Sequence, residues 1–118
     1  MNDNAKRIVG WIFAGFLGLL FLFSGIAKVF AAPEVIANYE VWGLPTWFML
    51  TVGIIEILGA IAILIPKIRS MAAFGLITLM LGAIVIHIMS NEFSSIIVNL
   101  GIIGVSIMLI YFNKLDKP

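Results

Sequence analysis

The chain has 118 residues, 63% of them hydrophobic and 11% charged, with a mean hydropathy of +1.19 and a net charge of +1. That composition leaves too little polar surface for a soluble domain of this size, and the near-zero charge gives no basis for a nucleic-acid partner. There is no cysteine, so disulfides, thiolate metal sites and dithiol relays within the chain are excluded, while the redox compartment stays open.

The first apolar run covers residues 8–27 and predicts a helix over about 8–30. About 20 apolar residues cross the hydrocarbon core as a helix, so the run reads as a span. A cleaved leader is the weaker reading, because the run is too long; Val29 to Pro33 only mimics a cleavage site. Residues 32–45 form the longest connection. In it Val35, Ile36, Tyr39 and Trp42 fall roughly on one helical face, and Tyr39, Trp42 and Trp47 are aromatics suited to headgroup level. Both a short amphipathic interfacial helix and an irregular anchored loop fit this segment.

Further spans are expected over 46–65, 70–89 and 95–112. Helices are the state open to such runs, since each backbone polar group in lipid must find its partner within its own segment. Pro66 to Arg69 makes a tight turn between the second and third spans, and Asn91 to Phe93 joins the third to the fourth. No internal repeat or low-complexity stretch interrupts the chain, which reads as a single domain over 1–118. The fold class is therefore all-α: a polytopic membrane protein built as a four transmembrane helix bundle, with the bilayer as its first partner.

Basic residues set the orientation. Lys6, Arg7, Lys67, Arg69, Lys114 and Lys117 all fall on one side of a four-pass topology, whereas Glu34, Glu40, Glu92 and Lys28 fall on the other. The positive-inside rule makes the first side cytoplasmic, giving an N-in/C-in chain. Glycines and alanines on each span, among them Gly15, Gly18, Gly25, Gly53, Gly59, Gly75, Gly82, Gly101 and Gly104, are expected where helices touch.

Polar residues within the spans carry the chemistry. Glu56 lies near the middle of the second span, about 15 Å from its outer boundary at 1.5 Å per residue. An ionised carboxylate there costs about 2.5–3.5 kcal/mol, so it should face the bundle interior, either paired or protonated. Lys28 and His87 lie near the outer ends of the first and third spans. Ser24 stands one turn below Lys28 on the same face, and Asn99 about a turn into the fourth span. Each also has a plain structural reading. Lys28 would snorkel to the headgroups, His87 would sit in interfacial water, and Asn99 and the serines would bond backbone across helices. Glu56 is the hardest to dismiss. One histidine, no cysteine and one buried carboxylate are too few for a haem, zinc or di-iron site, so no metal and no covalently bound cofactor are expected. No residue is assigned a catalytic role.

The stretch Phe21-Leu22-Phe23-Ser24-Gly25-Ile26-Ala27-Lys28-Val29-Phe30 resembles the end of the first helix in the DoxX-like membrane proteins. Glu56-Ile57-Leu58-Gly59, Ile65-Pro66, Arg69 and Ala72-Ala73 are similar to that family's second helix, turn and third-helix start. Met80, Ala83 and His87 match its third-helix spacing. The resemblance spans about residues 10–112 and departs in the outer loop, which is shorter and less glycine-rich here. It implies a four-helix bundle in a bacterial cytoplasmic (inner) membrane, and a function linked to quinone-dependent redox complexes or to the assembly of other membrane proteins.

Three functions stand open at this point. One is an accessory or redox-complex subunit in which Glu56, His87, Lys28, Asn99 and Ser24 line an outer-half cavity for a quinone or lipid-like headgroup. Another is a non-enzymatic partner or assembly chaperone, binding a second membrane protein or forming a homo-oligomer. The last is a small proton-coupled transporter, disfavoured because its carboxylate belongs on the first helix, which here carries Lys28 and no acid.

Overall fold

The computed structural model describes residues 2–116, with side chains through Asn113. Lys117, counted above with the basic end, lies outside the described residues. The helices run α1 Asp3–Val29, α2 Pro33–Trp42, α3 Thr46–Ile63, α4 Arg69–Met89 and α5 Phe93–Asp116. Four of them, all but α2, are long and apolar enough to cross a membrane, and no strand occurs among the described residues.

Local chemistry explains where the helices start and stop. Asn2 caps α1, its side-chain oxygen accepting the Ala5 N–H at 2.8 Å, and Asp3 places a negative charge at the positive end of the helix dipole. Three helices end in a left-handed residue that lets the chain bond back on itself. Ala31 (φ 54°), Gly43 (φ 74°) and Asn91 (φ 58°) hold these positions after α1, α2 and α4. In each case the next N–H returns to a carbonyl five residues back: Ala32 to Ala27 at 2.9 Å, Leu44 to Tyr39 at 2.9 Å, and Glu92 to His87 at 2.8 Å. Residues 33–42 are thus helical, started by Pro33 at the first position and stopped by Gly43.

The spans form a ring in the order α3, α1, α5, α4. Packing is most extensive between α1 and α3, then between α4 and α5; α3 and α4 meet least, although a short turn joins them. The α1–α3 contact centres on two glycines. A Cβ built on Gly25 would lie 2.7 Å from the Gly53 carbonyl oxygen, and one on Gly53 would lie 2.7 Å from the Lys28 Cβ. Only hydrogen fits there. Gly59 is also crowded, by Leu76 at 3.0 Å, and Gly18 leaves room for ordinary contact with Leu64 at 3.4 Å. Five other span glycines depart from the packing expectation: Gly15, Gly75, Gly82, Gly101 and Gly104 have nothing within 4 Å of a modest side chain's first carbon. Gly75, Gly82, Gly101 and Gly104 lie on exposed faces of α4 and α5.

The core occupies the half of the bundle away from α2. Leu17, Ile63, Leu76 and Leu109 are fully enclosed there, with Ala14, Ala60 and Ala73 allowing the close approach. This half is not purely apolar. Arg69, read from sequence as a basic turn residue, is buried; its Nε donates to the Ile63 carbonyl at 2.7 Å, and its guanidinium stacks 4.3 Å over the Trp11 ring. A cation at the end of α3 complements the helix dipole and accounts for an otherwise unmatched carbonyl. Asn113 donates to Ser70 Oγ at 2.9 Å and so ties α5 to α4 at the same end.

Candidate functional site

Toward α2 the spans separate around a cavity of about 540 Å³ to which all five helices contribute. Its wall is mostly apolar, with Phe21, Val52, Leu79 and Ile102 among the lining residues. Ser24, Lys28, Glu56, His87 and Asn99 all line it as well.

The structure sorts those polar residues into two bonded groups and one unattached amide. In the first group, Lys28 turns inward from α1 and its Nζ lies 2.8 Å from Glu56 Oε1. Ser24, one turn away on the same helix face, links the two: its hydroxyl accepts from Lys28 Nζ at 2.7 Å and donates to Glu56 Oε2 at 3.0 Å. The close α1–α3 crossing at Gly25 and Gly53 is what brings these groups within reach. Glu56 is only 3% exposed, so a hydrogen-bonded ion pair is the form in which its charge can sit there.

The second group gathers on Glu92, which the sequence reading placed only as an outer charge. Glu92 Oε1 accepts from Trp42 Nε1 at 2.8 Å and lies 2.9 Å from His87 Nδ1. A carboxylate only accepts, so Nδ1 is the ring nitrogen that carries a proton in this contact. The left-handed turn at Asn91 accounts for the pairing, because it folds the Glu92 backbone onto the His87 carbonyl and sets the two side chains side by side. The Trp42 ring meets the His87 ring edge-on at 5.5 Å between centroids. Glu92 therefore clasps α2 to the α4–α5 turn. These two hydrogen bonds, from His87 and then Trp42, hold its carboxyl below the usual value.

Asn99 joins neither group. It is 8% exposed and its Nδ2 has no partner among the described residues. A smaller hollow of about 250 Å³, bounded by His87, Ser94, Ser95, Val98 and Asn99, adjoins it. Tyr39, which the sequence suggested as a headgroup aromatic, is instead buried against Trp42 and Phe48 and lines the cavity. Burial, and then the nearby negative charge of Glu56, push its phenol up to about 12. Trp47 remains 68% exposed.

Residues 12–109 match the sequence model of the DoxX-like family. The chain belongs to the DoxX-like family. It is accordingly an integral membrane protein, and its four apolar helices place it in a lipid bilayer. Neither curated proteins nor solved structures gave a match. Among the described residues of this DoxX-like protein, no group of three or more His, Asp or Glu side chains is placed to hold a metal ion. Sequence reasoning did not place Trp42 and Tyr39, which line the cavity, or Glu92, which bonds to the lining residues Trp42 and His87, in the site. The signal for Glu92 was its place five residues after His87 across a short turn with Asn91 at its corner.

Proposed function

We propose that this DoxX-like protein is an accessory or redox-complex subunit whose cavity holds the headgroup of a quinone-like molecule. The observation that carries the reading is a surplus of hydrogen-bond donors in a mostly apolar chamber. Among the described residues, no atom accepts the two N–H bonds of the Asn99 amide, and the three N–H bonds of Lys28 have two near partners, Ser24 and Glu56. An unmet buried donor is costly, and a ligand with acceptors relieves that cost. Lys28 and Glu56 cancel in charge, so the chamber suits a neutral molecule with two carbonyl acceptors better than an anion. The cavity volume falls in the range of small-molecule sites. Glu56 and His87 are the groups that would hold or pass a proton during reduction or oxidation of such a ring.

The alternative of proton-coupled cation exchange is less well supported, because Lys28 already supplies the cation beside Glu56. Lys6, Arg7 and Lys67 gather at the end opposite α2, which supports a cytoplasmic location for both termini and residence in a bacterial inner membrane. We read the bundle as one domain.

The test is binding of a short-chain benzoquinone or naphthoquinone to the detergent-purified protein, followed by quenching of tryptophan fluorescence. Saturable quenching is expected, with Trp42→Phe removing most of the signal. Asn99→Leu should weaken binding about tenfold, the equivalent of one hydrogen bond of about 1.4 kcal/mol. Absence of saturable quenching overturns the quinone reading. Co-purification of another membrane protein through the α2 end would then favour the partner role.

A further inference from the structure

We infer that the cavity opens sideways into the bilayer between α3 and α4, and that the apolar tail of its ligand lies in this doorway, with Gly82 and Thr78 as its sill. The inference rests on the reading of the cavity as a headgroup site and adds the class of ligand: an amphiphile with a polyprenyl or acyl tail.

The argument starts from the uneven contact between α3 and α4. Near the turn that joins them the two helices are tight, since a Cβ on Gly59 would stand 3.0 Å from Leu76. Further along, Phe48, Val52 and Glu56 of α3 and Ala83, Ile86 and His87 of α4 face the same cavity. The helices have parted there. Thr78 and Gly82 belong to the exposed stripe of α4 that includes Phe74, Leu81 and Val85. They also line the cavity, so at these two residues the inner wall and the lipid-facing surface are continuous.

The doorway is apolar in effect. Gly82 presents no side chain, and a Cβ there would have nothing within 4 Å. The Thr78 hydroxyl donates to the Phe74 carbonyl of its own helix at 3.0 Å, which leaves its methyl group for the opening. Both positions lie about 10 Å or more from the ends of α4 at 1.5 Å per residue, at hydrocarbon depth. Leu20 of α1 and Asn38 of α2 are also exposed residues of the lining, but two sides are closed to a long chain. The α1–α3 seam is shut at Gly25 and Gly53, and α2 is clasped over the end by Trp42, Glu92 and His87. The smaller hollow beside Asn99 is polar and would admit water rather than a hydrocarbon tail.

The experiment places the protein in nanodiscs with a polyprenyl or acyl chain bearing a photoreactive diazirine. Phe21 is 2% exposed yet lines the cavity, so its labelling reports a chain that has passed the doorway. We expect labelling at Phe21 in the native protein, about a tenfold loss of it in Gly82→Trp, and no loss in Leu81→Trp, which adds the same bulk on the neighbouring lipid-facing position. No labelling of Phe21 in the native protein, or equal labelling in Gly82→Trp, overturns the doorway. Circular dichroism and thermal melting of Gly82→Trp check that it folds; if it does not, Gly82→Leu replaces it with the same expectation. Failure of the headgroup reading shows separately, as quinone binding that is absent while Phe21 is still labelled.

Discussion

Lys28 and Glu56, on different helices, stand 2.8 Å apart across a crossing so close that only glycines fit its centre. The charge pair and the small residues are one feature. Glu56 is enclosed and Lys28 is nearly so, and removing one partner strands the other in a low-dielectric interior. Lys28→Ala should therefore cost about 3 kcal/mol of stability, whereas Lys28→Ala with Glu56→Gln should recover part of that loss. Unfolding in mixed detergent measures both. A double variant less stable than Lys28→Ala alone would contradict the pairing.

The glycines separate into two classes with opposite expectations. Gly25→Ala and Gly53→Ala each force a methyl into a space 2.7 Å from a neighbour and should destabilise by about 1–3 kcal/mol. Gly75→Ala and Gly101→Ala meet nothing and should be neutral or stabilise by up to about 1 kcal/mol, since alanine is the better helix former. Thermal melts in one detergent rank all four.

Acid should open the clasp over the α2 end. The Glu92 carboxyl is held below its ordinary value by His87 and Trp42. A depressed carboxyl contributes stability that is complete above the unfolded value, about 4.3 for Glu, and lost as pH falls through the lower folded value. The indole N–H signal of Trp42 should thus hold its position down to about pH 4.3 and shift only below it. In Glu92→Gln that late shift should be missing.

Alkali acts on the other aromatic of α2. Tyr39 has its phenol pushed up to about 12 by burial and by Glu56. A raised phenol contributes stability that is present below the unfolded value near 10 and disappears as pH rises through the folded one. Of the two tyrosines, Tyr39 should ionise well after free tyrosine in an absorbance titration, and Glu56→Gln should bring it earlier. Unchanged ionisation in that variant would remove Glu56 from the account of Tyr39.

Much of this was legible in the sequence for one reason: in hydrocarbon a polar residue is an anomaly, and anomalies are easy to see. Glu56 and Asn99 each interrupt an apolar run and Lys28 closes one, and all of them line the cavity. Ser24 and Lys28 share a face by spacing alone. Glu92 was opaque because a carboxylate in a short turn is expected to meet water; its contact with His87 depends on the left-handed residue Asn91, which composition does not reveal. Tyr39 was opaque for the same kind of reason, since an aromatic in an interfacial segment can point either way. The glycines misled where they were read as a class. Gly25 and Gly53 have each other, while Gly82 faces open space, and no periodicity distinguishes them.

The glycine crossing also bears on how the chain enters the membrane. During synthesis α1 is complete before Glu56 exists, so Lys28 has no counter-charge until α3 emerges from the ribosome. A lone carboxylate near the middle of a span, as Glu56 is, costs about 2.5–3.5 kcal/mol on an insertion scale, but a neutral pair with Lys28 formed between two docked helices costs much less. The α1–α3 hairpin is therefore the natural unit of insertion, with Gly25 and Gly53 as its hinge point. A translation-arrest assay should record a pulling force on α3 that weakens when Lys28 is replaced by alanine; an unchanged force would mean that the spans enter one at a time.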